Sequence, residues 1–178
     1  MPAKVCCHKK FFFGNTNTNE FMDYEFIEGQ DLQDFALFIT SVLNGQSLHG
    51  RNKPSWTTPE GKVIATYQKA NIWHYHSGPH RLELPTQTPN IRVINEGRFG
   101  TPAVIHYTWA SEDVLVILAY SPRHNPFPLP SDKHNVLRTR LPTVIGGLPS
   151  DAVVDLQGEA VATSLLEAFK SKSNKPKS

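Results

Sequence analysis

Three consecutive stretches decide the fold: Ala103-Val104-Ile105-His106-Tyr107-Thr108-Trp109, then Ala110-Ser111-Glu112-Asp113, then Val114-Leu115-Val116-Ile117-Leu118-Ala119-Tyr120. Two runs rich in β-branched and aromatic residues flank a short polar turn, which is the pattern of a β-hairpin. Val114 to Leu118 has no polar residue on either alternation. Such a strand expects cover on both faces and a central place in its sheet. The chain then runs through Pro122, Pro126, Pro128 and Pro130. Proline lacks the backbone donor and holds φ, so this exit segment is neither helix nor inner strand.

Working outward, Asn71 to His76 alternates, with Ile72, His74 and His76 on one face and Trp73 and Tyr75 on the other. Gly78-Pro79 reads as a turn. His80 to Leu84 reads as a return strand, with weaker strand patterns at Lys62 to Tyr67 and Ile91 to Ile94. A helix is expected from Asp31, as its cap, to Asn44, because Leu32, Phe35, Ile39 and Val42 share one helical face and Asn44-Gly45 is a stop signal. A second helix is expected from Asp151 to Lys170. The fold class expected is α+β: an antiparallel or mixed sheet of about four to six strands, with a helix on one face and a peripheral C-terminal helix. The expected layout is a weakly ordered lead-in over 1–20, a core over 21–142, a linker and helix over 143–170, and a disordered tail over 171–178.

Composition limits the function classes. The 178 residues suit a single domain. No apolar run is long enough to cross a membrane, and the polar, basic start does not look like a secretion signal. Cys6 and Cys7 are adjacent, a poor geometry for a mutual disulfide. They read as reduced thiols, which fits the cytoplasm. Net charge is only +2, yet residues 44–140 carry eleven Lys/Arg against six Asp/Glu and hold seven of the eight His. A basic, His-rich and aromatic-rich centre suits a phosphate-bearing partner.

Two constellations carry chemistry. His74 and His76, at i and i+2 of one strand, project to the same side and form the start of a metal pair, as in cupins. The Glu that should follow is missing at that spacing, since Glu83 comes seven residues after His76. A small metal-dependent β-domain enzyme using His74 and His76 is therefore an alternative reading rather than the leading one. No phosphate-binding Gly-rich loop, no Gly-x-Ser-x-Gly elbow and no His-Glu-x-x-His occurs. Glu112-Asp113 lies in the expected hairpin turn, which disfavours a carboxylate-metal nuclease.

The second constellation is the order of Ile72 to Leu84, Val104 to Trp109 and Val114 to His124: a polar strand, an apolar hairpin with His106 in it, and a basic exit. In this order the chain resembles the RelE/ParE superfamily of toxins from toxin–antitoxin modules. The resemblance implies a metal-independent endoribonuclease without a cofactor, with RNA as substrate and a protein antitoxin as partner. The residues that match these roles are His124, Arg123, His76, Arg81 and Tyr120 for catalysis, with His106 as a further candidate. Arg51, Lys53, Trp73, Lys133 and Arg138 are the expected contacts to nucleic acid. Imidazole titrates near neutrality and moves protons, Arg grips phosphate oxygens in a planar fork, and Trp and Tyr stack on bases. A non-enzymatic regulator of phage or plasmid type that binds nucleic acid or protein is the other alternative.

Overall fold

A computed structural model describes residues 3–97, 100–124 and 127–156. The hairpin forms as expected. Strand β4 (Ala103–Ser111) pairs antiparallel with β5 (Val114–Ser121). On the outer side of β4 lies β3 (Ile72–Gly78), antiparallel, and beyond it the short β2 (Asn52–Pro54). On the other side of β5 lies β1 (Lys4–His8), parallel to it, followed by β6 (Val153–Asp155), antiparallel to β1. The six-stranded mixed sheet therefore has the order β2-β3-β4-β5-β1-β6 and makes an α+β fold.

Both faces of β5 are covered, as its uninterrupted apolar run requires. Against one face packs α2 (Gly29–Asn44), which buries Leu32, Phe35, Phe38, Ile39 and Val42 against Val5, Cys7, Tyr75, Ile105, Tyr107, Ile117 and Tyr120. This helix starts two residues before Asp31, with Glu28 at the cap position, and Gly45 closes it in the left-handed conformation (φ 65°). Against the other face lie α3 (Ala65–Lys69) and α4 (Leu137–Ile145), whose Tyr67, Leu137 and Leu141 join Phe21, Ile72, Val116 and Leu118.

Several expectations need correction. Residues 4–12 are not a loose lead-in: they form β1 and the helical turn α1 (Lys9–Phe12), with Val5, Cys7 and Phe11 inaccessible to solvent. The alternation in Lys4–His8 is too short to stand out from sequence, and only its ladders with β5 and β6 define it. Lys62 to Tyr67 gives way to α3, and His80 to Leu84 and Ile91 to Ile94 are turns and irregular chain. The segment 137–145, whose last residues are expected as linker, is helical, with Pro142 inside it. Its Arg140 is buried and bonded at 2.7 Å to buried Asp23, and also donates to the carbonyls of Leu118 and Lys10. The expected helix from Asp151 begins instead as a 3₁₀ turn and β6; its remainder, like the tail 171–178, lies outside the described residues. No helix among the described residues is long and apolar enough to cross a membrane.

Candidate functional site

The register across β2, β3 and β4 builds the site. Lys53 pairs with His74, and His74 pairs with His106, so three basic side chains form one cross-strand row on the α3–α4 face of the sheet. His76, two residues along β3, extends the row toward the sheet end where the chain leaves β5 through His124. The rings of His74 and His76 lie 5.5 Å apart, those of His74 and His124 5.6 Å, and those of His76 and His124 4.8 Å. Phe127 closes over this group, 5.3 Å from His74 and 5.7 Å from His124.

Above the rings is a groove of about 610 Å³, lined by Arg51, Lys53, Trp56, Glu96 and Phe127 as well as the three histidines. Its size suits a nucleotide-scale ligand. Gly50 lets the Arg51 loop lie on β3: a Cβ there would stand 1.9 Å from the His76 carbonyl oxygen. The Arg51 guanidinium is anchored by two bonds, from Nε and Nη2, to the Gly97 carbonyl at 3.0 and 2.8 Å. Its Nη1 and the Cε1 of His76 are each 3.3 Å from the point a Cβ on Gly100 would occupy. The cation and the imidazole thus both border Gly100, where a side chain would crowd them.

The hydrogen bonds orient the rings. Nδ1 of His76 is 2.8 Å from the Thr101 carbonyl oxygen. A carbonyl only accepts, so this nitrogen carries the proton and the neutral ring presents an Nε2 lone pair. Nδ1 of His74 is 2.8 Å from the Ser55 hydroxyl. Nε2 of both rings is buried without a hydrogen-bond partner among the described residues. Burial is the main cause that keeps these rings neutral. It lowers His76 to about 4 and His74 well below the usual histidine value, with neighbouring histidines and Lys53 adding to the effect. His124, half-buried, is lowered by burial and then by Lys53 and Arg51. His106 lies beneath, inaccessible, bonded through Nε2 to Ser121, and lowered by burial to about 3.

The expected site residues thus separate into two groups. His76, His124, Arg51 and Lys53 come together, and His74 joins them. Tyr120 does not. It lies on the opposite face of the sheet, edge-on to Phe35 at 6.3 Å in the core under α2. Arg81 is exposed and paired with Glu83, outside the groove lining. Arg123 is exposed and also outside that lining. Trp73 sits on the α2 side, in a depression with Trp109 and Arg92. Lys133 lines a separate basic cleft with Lys9, Lys10 and His134, and Arg138 is an exposed residue of α4. Sequence reading missed Ser55, Thr101, Glu96 and Phe127. None has a motif: Glu96 and Phe127 line the groove, and Ser55 and Thr101 hold the rings of His74 and His76, all from loops that only the folded chain brings near. Compared with known proteins, the chain matches no family model, no curated sequence and no solved structure.

Proposed function

We propose that this groove cleaves RNA, and that the chain is an endoribonuclease toxin held in check by a protein antitoxin. The observation that carries the reading is that His76, whose Nδ1 proton Thr101 holds so that Nε2 is left as a lone pair, lines one groove with Arg51 and Lys53. Attack by a ribose 2′-hydroxyl on the adjacent phosphate needs a base, cations for the phosphorane and a proton for the leaving oxygen. His76 is the base: its Nε2 takes the 2′-hydroxyl proton as the oxygen bonds to phosphorus. Arg51 and Lys53 hold the charge that builds on the phosphoryl oxygens. His124 gives a proton to the departing 5′-oxygen. A bound phosphate reverses the effect of Arg51 and Lys53 on His124, because an anion beside an imidazole favours its protonated form. Trp56 and Phe127 offer aromatic surface for an unstacked base. The products are a 2′,3′-cyclic phosphate and a 5′-hydroxyl end, and no cofactor is needed.

The test is induction of the chain alone in a bacterial host, followed by mapping of RNA ends. Growth arrest with new cyclic-phosphate ends is expected, and both should disappear in H76A and H124A proteins that remain folded. Arrest that persists undiminished in both variants, or RNA that stays intact, overturns the reading.

A further inference from the structure

We propose that His74, His76 and His124 form a binding site for one borderline divalent transition-metal cation, with Zn²⁺ as the probe. One nitrogen from each ring already lies within 4.8 Å of the others. A cation bound by three imidazoles at about 2.0–2.1 Å requires those nitrogens somewhat closer together. His124 supplies the adjustment, because it lies beyond the end of β5, half-buried and outside regular structure. His74 and His76 need little movement: they are on one strand, two residues apart, and both Nε2 atoms are buried and unpartnered.

The surroundings are those of a ligand set. Thr101 fixes the tautomer of His76 so that Nε2 offers its lone pair, and Ser55 holds the corresponding nitrogen of His74. Such outer partners orient metal-binding imidazoles. Three neutral nitrogen donors select Zn²⁺, Co²⁺, Ni²⁺ or Cu²⁺ over Mg²⁺ and Ca²⁺, which prefer oxygen. Glu96 lines the same groove and offers a carboxylate as a further ligand, with water as the alternative. No other group of three His, Cys or carboxylate side chains comes this close among the described residues. Binding does not depend on the RNA reading. Its consequence does: on that reading, a cation on Nε2 of His76 removes the base, so Zn²⁺ suppresses cleavage and a chelator restores it.

The experiment is calorimetric titration of Zn²⁺ into the chelator-stripped full-length chain, with Co²⁺ as a spectroscopic substitute. Uptake of one ion per chain is expected, insensitive to excess Mg²⁺. H124Q, which leaves the strands untouched, should weaken it by at least about tenfold, and H76Q by more; S55A should cost about tenfold through loss of orientation. No saturable uptake, or uptake unchanged in H124Q and H76Q, overturns the site. Zn²⁺ bound here with cleavage unaffected or raised overturns the inhibitory role. Zn²⁺ bound here by a protein that never cleaves RNA supports the metal site and overturns the RNA reading.

Discussion

The Nδ1 proton of His76 is committed to the carbonyl of Thr101 at 2.8 Å, so the opposite nitrogen is left as a lone pair, buried and without a hydrogen-bond partner among the described residues, in a ring that lines the groove. One backbone carbonyl, twenty-five residues away in the chain, thus decides what this histidine can do. Replacing His76 by Ala or Gln should lower RNA cleavage by about 10²–10⁴-fold, the usual worth of a positioned acid–base group. Cleavage assays on folded protein, checked by near-UV circular dichroism, decide this. Activity within a factor of about two of wild type would remove His76 from the mechanism.

The cations should separate by location. On the proposed reading, Arg51→Ala should cost about 10²-fold in cleavage, because its anchored guanidinium would meet the developing charge. Lys53→Ala should also reduce cleavage. Arg81→Ala and Arg123→Ala should behave like wild type, since neither lines the groove. Parallel rate measurements on the four variants test the assignment, and the reverse ranking would move the site.

Arg140 should matter for folding rather than chemistry. It is buried with Asp23 and satisfies two backbone carbonyls. Removing one partner of a buried pair leaves the other charge uncompensated, at about 3–5 kcal/mol. Denaturant unfolding of R140A should show that loss, and D23N a loss of the same direction. A stability within about 0.5 kcal/mol of wild type would contradict the buried pair.

Stability of the metal-stripped protein should fall with acid. His8 and His76 are held near 4 and His106 near 3, in each case chiefly by burial. In the unfolded chain these rings take up protons below about 6.5. The folded state does not, so the unfolded state binds more protons and stability drops as pH falls from about 6.5 toward 4. Each ring contributes up to about 1.4 kcal/mol per pH unit across that window. Urea midpoints measured between about pH 7 and 5 should decline, and H8Q should decline less steeply. Flat midpoints would mean that the rings are solvated.

Truncation of residues 1–8 should abolish cooperative unfolding. The segment supplies the strand between β5 and β6, with Val5 and Cys7 in the core. A truncated chain that still melts cooperatively would show that β1 is dispensable.

By itself, the sequence determined the elements whose signals are local. The apolar run of Val114 to Leu118, the polar turn before it and the helical spacing of Leu32, Phe35, Ile39 and Val42 each reflect how a short segment must bury its own side chains. The α+β class and the His74/His76 side of β3 follow from that. The tertiary structure alone decided which distant groups share the groove. Tyr120 and His106 sit on neighbouring strands, yet the alternation of β5 and the register with β4 send Tyr120 under α2 and leave His106 below the histidines. Arg51, Lys53, Ser55, Thr101 and Phe127 arrive from loops and a short edge strand, where no periodicity operates. Their meeting place is set by long-range pairing, in which β2 and β4 flank β3, and by the close approach that Gly50 permits. Strand order and loop closure of this kind depend on the whole sheet, so no window of the sequence contains them.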